Sequence, residues 1–115
     1  MNRKLLPALL LIALPLATIA SEPAADARAD GMHRYLVERT FPQGALDNID
    51  AATRAGIIAN NRKAHVRWLK SYVNADRNRT FCIYEGPDKA AVRKAAEMNG
   101  LPVDSITDIP ATLEP

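Results

Sequence analysis

The segment VRWLKSYVNADRNRTFCIYEGPD, residues 66–88, decides how this chain is built. Two runs rich in β-branched and aromatic residues, 66–74 and 79–85, flank Ala75-Asp76-Arg77-Asn78, a polar tetrapeptide suited to a hairpin turn. Gly86-Pro87-Asp88 ends the second run and opens a helix, with Pro87 tolerated in the first turn. Ala91, Val92, Ala95, Ala96 and Met98 form that helix's packing face. Asn99-Gly100 stops it with a left-handed cap, and Pro102 lies just beyond. A last strand runs over 103–109.

Upstream of the hairpin, Ile49, Ala52, Gly56, Ile57, Asn60 and Ala64 recur at helical spacing and predict a helix over 49–64. Asp47 or Asn48 caps it, and Asp50 adds negative charge to its first turn. Gly56 is read as letting a small-residue face approach a sheet closely. Before it, HRYLVERTF at 33–41 alternates as a strand does, with Tyr35 and Val37 on one side and Leu36, Glu38 and Thr40 on the other. Pro42-Gln43-Gly44 ends that strand. The order is β-α-β-β-α-β, an α+β, ferredoxin-like arrangement with an antiparallel sheet. The domain spans 33–113 and contains no internal repeat.

One sheet face must meet the helices, and the sequence assigns Leu69, Val73, Phe81 and Ile83 to it. The opposite face then carries Trp68, Tyr72, Cys82 and Tyr84, which Glu38 joins by alternation. That face is too aromatic to leave wet. The expected solution is a homodimer meeting sheet to sheet as a dimeric α/β barrel, with an inter-subunit cavity and Trp68 and Tyr72 near the centre of the contact.

The first 20 residues, MNRKLLPALLLIALPLATIA, have the parts of a secretory signal: Arg3 and Lys4, an apolar run from Leu5 to Leu16, and small residues at Thr18 and Ala20. Pro7 and Pro15 and the short apolar run argue against a membrane anchor. Residues 21–32, SEPAADARADGM, read as a flexible leader. The expectation is a periplasmic or secreted protein with no stable membrane anchor after cleavage. Without the signal, 95 residues remain with 13 basic and 13 acidic side chains, so the pI of 8.9 belongs to the precursor. The basic stretch 62–70, with Arg77 and Arg79, is therefore read as solvated surface, and no nucleic-acid partner is expected.

Cys82 is the single cysteine, so no intrachain disulfide can form. Its simplest reading is a small buried hydrophobe on a strand. There is no His-x-x-x-His pair, Cys-x-x-Cys, glycine-rich phosphate loop or Ser/His/Asp constellation. A borderline transition metal favours imidazole with carboxylate or thiolate, and Glu38, His65 and Cys82 are the candidate ligands, shared across a dimer. Glu38 otherwise pairs with an Arg or Lys of a neighbouring strand, and His65 otherwise stands at a helix end. His33 borders the leader and is read as solvated. Two readings compete with a metal- or ligand-binding dimer. One is a dimeric-barrel enzyme with Glu38 as acid/base and Tyr72 or Tyr84 as donor. The other is a purely structural interaction module.

The strings RYLVERTFP at 34–42, WLKSYV at 68–73, FCIYEGP at 81–87 and RKAAEMNGLPVDSIT at 93–107 resemble a small ferredoxin-like family of unknown function that includes a nickel-responsive, nickel-binding dimer. The resemblance covers 33–109. It implies a ferredoxin-like homodimer and points to nickel or another divalent transition metal as the ligand. It maps no ligand set onto particular residues of this chain.

Overall fold

A computed structural model of the chain describes residues 31–115; the expected signal segment 1–20 and residues 21–30 of the expected leader lie outside the described residues. Six elements follow in order: β1 (His33–Thr40), α1 (Ala51–Lys63), β2 (Arg67–Val73), β3 (Arg79–Gly86), α2 (Lys89–Met98) and β4 (Ser105–Asp108). The four strands form one antiparallel sheet in the order β2-β3-β1-β4. Both helices cover the same face. This is the α+β, β-α-β-β-α-β arrangement that the sequence predicts.

Helix starts differ slightly from expectation. Asp50 itself caps α1, accepting from the Thr53 amide at 2.8 Å, so Asp47 and Asn48 stay in the preceding turns. Asp88 caps α2 by accepting from the Ala91 amide at 2.8 Å, which leaves Pro87 ahead of the helix. In both cases the carboxylate satisfies a first-turn amide that has no intrahelical partner.

The core lies between α2 and the sheet. Tyr35 and Val37 of β1, Cys82 and Tyr84 of β3, Val92 and Ala95 of α2, and Ile106 of β4 are buried together. Val37 and Val92 are fully enclosed, and burial of such a side chain contributes about 1.5–3 kcal/mol. The close approach is made at Gly86: a Cβ there would lie 3.2 Å from Val92 Cγ2 and 3.3 Å from Val66 Cγ2. Gly56, which the sequence reading assigned to that task, faces open space.

Helix α1 behaves differently from α2. Only Asn61 of its 13 residues is buried. Its C-terminal end is held to α2 by amides: Asn60 Nδ2 donates to Asn99 Oδ1 at 2.8 Å, and Asn99 Nδ2 donates to Asn61 Oδ1 at 3.0 Å. The rest of α1 stands off the sheet.

The face assignment made from sequence is inverted for Trp68 and for Phe81, Cys82, Ile83 and Tyr84 of β3, while Tyr72 and Val73 lie on the outer and helix-covered faces as assigned. Within β2 the cause of the split is local. In register, Trp68 pairs with Tyr84, but Lys70 pairs with Ile83 and Tyr72 with Phe81, because a bulge falls between Trp68 and Lys70. One extra residue shifts the alternation by one. Trp68, Ser71 and Val73 therefore share the helix-covered face with Cys82 and Tyr84. Tyr72 goes to the outer face with Phe81, Ile83 and Leu36.

Candidate functional site

Where α1 stands away from the sheet, it leaves a cleft of about 620 Å³. The turns at 42–49 form one wall. Phe41, Leu46, Ile57, Val73 and Leu101 make its sides largely apolar, and Trp68 closes it from β2. The floor is the helix side of the sheet, with Arg39 of β1 and Thr80, Cys82 and Tyr84 of β3. That volume falls in the usual range for sites that enclose a small molecule.

Arg39 is the unusual residue here. It continues the core-facing alternation of Tyr35 and Val37, and it is 2% exposed. Its Nη1 donates to the Pro102 carbonyl at 2.6 Å and its Nη2 to the Tyr84 hydroxyl at 3.1 Å, while the guanidinium carbon lies 5.7 Å from the centre of the Tyr84 ring. The buried Nε–H has no partner. Among the described residues no carboxylate pairs with Arg39. Burial raises the Tyr84 phenol above its ordinary range, and the Arg39 guanidinium partly opposes this by favouring the phenolate. The Trp68 indole N–H donates to Ser71 Oγ at 2.8 Å, and the Cys82 thiol to Thr80 Oγ1 at 3.4 Å.

The residues singled out from sequence do not converge. Cys82 and Tyr84 belong to the cleft. Glu38 lies on the opposite face of the sheet, where its Oε1 accepts from Arg79 Nη2 at 3.4 Å and its Oε2 from Ser105 Oγ at 3.1 Å. This is the ion pair to a neighbouring strand that was the simpler expectation for Glu38. Tyr72 is 57% exposed on the outer face, beneath the Lys70 ammonium at 5.9 Å. His65 follows α1 at a φ of 62°, exposed, as its left-handed terminator. The ligand set Glu38, His65 and Cys82 is thus not assembled within one chain, because the sheet separates Glu38 from Cys82. Among the described residues no three His, Cys, Asp or Glu side chains group as metal ligands would. The proposed acid/donor pair of Glu38 with Tyr84 is split by the same sheet. The interface trio Trp68, Tyr72 and Tyr84 is divided too, with only Tyr72 outside.

Sequence reasoning missed Arg39. The signal was present: in Tyr35-x-Val37-x-Arg39, a charged residue occupies the third core-facing position of a strand. Strand alternation places it inward as firmly as it places Val37. What alternation could not say was that a cleft would receive it.

The outer face carries its residues in rows set by the strand register. Arg67, Glu85 and Arg34 form the first, with Glu85 buried between the two arginines at 3.4 and 3.8 Å. Lys70, Ile83, Leu36 and Thr107 follow, then Tyr72, Phe81, Glu38 and Ser105. Arg79 and Thr40 close the series, with Arg79 stacked 5.2 Å from the Phe81 ring centre and Thr40 Oγ1 donating to Asp104 Oδ2 at 2.6 Å.

Comparison with curated proteins gives no match. Among solved structures, the crystal structure of SCO4226 from Streptomyces coelicolor A3(2) is similar, with a TM-score of 0.60 and 17% sequence identity over 70% of this chain and 99% of that one. At that identity the likeness speaks for the fold alone. The family model described as "Nickel responsive protein SCO4226-like" matches residues 35–109, most of the chain and all six elements save the first two residues of β1. The chain belongs to the nickel responsive protein SCO4226-like family.

Proposed function

We propose that this is an exported, non-catalytic binding protein that works as a homodimer, its two sheets meeting face to face as a dimeric α/β barrel. The observation that carries this reading is the outer sheet face. Leu36, Phe81, Ile83 and the exposed Tyr72 form an apolar band that no helix of the described residues covers. Such a band on a small domain without a disulfide favours association. A second copy suits it by charge. The band runs between a net-positive end, Arg34, Arg67 and Glu85, and a net-negative end, Glu38, Arg79 and Asp104. A two-fold axis lying between the sheets and across the band would set each end against its opposite in the partner.

Export rests on the basic, apolar and small-residue succession of the first 20 residues. The family name supports a link to nickel. The donors of one chain do not fit a nickel shell, since Cys82 faces the helices and both oxygens of Glu38 are engaged. In this reading any metal shell draws on residues of two copies.

Sedimentation velocity of the chain from Ser21 onward, at low micromolar concentration, tests the dimer. Wild type should sediment as a dimer and Phe81→Glu as a folded monomer with unchanged circular dichroism. A well-folded wild-type monomer at tens of micromolar would sink the reading. Calorimetric titration with nickel tests the metal part. Uptake by the dimer and none by the Phe81→Glu monomer is expected, and no heat from either removes the metal from the function.

A further inference from the structure

We propose that the cleft beneath α1 binds a small organic monocarboxylate with an apolar tail, its carboxylate on the Arg39 guanidinium and the Tyr84 hydroxyl, its tail against Phe41, Leu46, Ile57 and Trp68. This site is on the other side of the sheet from the dimer face and does not depend on the metal reading.

Three observations converge on it. First, a guanidinium held at 2% exposure is costly unless a negative charge offsets it. Arginine cannot relieve that cost by giving up its proton. Arg39 has two neutral acceptors, the Pro102 carbonyl and the Tyr84 hydroxyl, and an unpartnered buried Nε–H. No carboxylate of the described residues supplies the missing charge. Second, Arg39 lines a cleft rather than a packed interior, so an external anion has room to reach it. Arginine's planar fork suits a carboxylate in particular.

Third, the walls choose among anions. Most of the cleft's lining is apolar, which disfavours a fully hydrated inorganic ion and favours a carboxylate with hydrocarbon attached. The charged residues at the mouth leave it positive. Asp47 is paired with Arg77 Nε at 3.7 Å, Arg77 also donates to the Leu46 carbonyl at 3.0 Å, and Arg54 donates to the Ile49 carbonyl at 2.8 Å. Along the lining the Asp47 carboxylate stands with Arg39, Arg54 and Arg77, and Asp50, outside the lining, offsets part of the Arg54 charge, so the lining keeps a net positive charge. This field draws an anion in.

Trp68 is the chain's single tryptophan and lines the cleft, so its fluorescence reports occupancy directly. The test is titration of the chain from Ser21 onward with hexanoate and with hexanamide, its neutral counterpart of nearly equal shape. Hexanoate should give a saturable change and bind about ten-fold or more tightly than the amide, the factor expected for a charge-assisted hydrogen bond. Arg39→Met should erase that preference, and Phe81→Glu, on the outer face, should leave it intact. The wild-type comparison decides the matter even if Arg39→Met does not fold. Equal binding of acid and amide, or no saturable change with either, overturns the proposal. Inorganic phosphate binding as tightly as hexanoate also overturns it, because the apolar walls would then select nothing.

Discussion

His65 adopts a φ of 62°, a conformation that costs a side-chain-bearing residue about 1–2 kcal/mol and glycine almost nothing. It does so because it ends α1: its own amide donates to the Arg62 carbonyl at 3.0 Å, and the next amide, of Val66, donates to the Asn61 carbonyl at 2.8 Å. His65→Gly should therefore stabilise the domain by about 1 kcal/mol, seen as a higher urea midpoint at unchanged slope. A loss of stability would mean that the imidazole does something beyond terminating the helix. At the other end of α1, the backbone hydrogen bond from Thr53 holds the Asp50 carboxyl below its ordinary range. A depressed carboxyl contributes stability above its unfolded value and loses it as the pH falls through the folded one. The contribution of Asp50 is thus present at neutral pH and fades below about pH 4. Asparagine caps as well but does not titrate. Asp50→Asn should flatten the fall of the urea midpoint between about pH 5 and pH 2, and an unchanged acid limb would count against this assignment.

At the scale of elements, the two helices differ in how they use the sheet, and two glycines report the difference. A Cβ at Gly86 presses on Val66 and Val92, both buried, at 3.2 to 3.3 Å. Gly86→Ala should cost about 1–3 kcal/mol as overpacking. Gly56 lies within exposed α1 with open space around it, and Gly56→Ala should stabilise by about 0.5–1 kcal/mol through helix propensity. Thermal unfolding of the two variants checks both signs. A destabilised Gly56→Ala would show that α1 packs more closely than described. The bulge in β2 deserves the same treatment by deletion. Removing Leu69 restores simple alternation with Trp68 already facing inward, so the variant should fold with its tryptophan emission still blue-shifted. A red-shifted, exposed tryptophan would contradict the register.

At the scale of the whole molecule, the inward placement of Trp68 and the outward placement of Phe81 and Ile83 redistribute what a mutation tests. Trp68 packs against the core and lines the cleft, so Trp68→Ala should lower fold stability and leave assembly alone. Its partial burial keeps the cost below the about 3–5 kcal/mol of a fully enclosed aromatic. Assembly should instead respond to Phe81 and Ile83. Size-exclusion and urea titration of the same variants separate the two effects, and a Trp68→Ala monomer of undiminished stability would restore the original face assignment. Element order and type, strand alternation in β1 and the hairpin over 74–79 are local properties of the chain, set by side-chain period and turn chemistry, and the sequence by itself determined them. Which face of β3 the helices cover was a packing outcome, because Phe81 and Ile83 alternate with Cys82 and Tyr84 as two comparably apolar sets. In β2 a single bulge at Leu69 brings Trp68 to the same side as Val73, and no pattern in WLKSYV marks it. The same holds for the cleft. Arg39 was inward by alternation from the start, but its isolation from the carboxylates of the described residues depends on α1 standing off the sheet, a packing outcome that couples residues far apart in the chain.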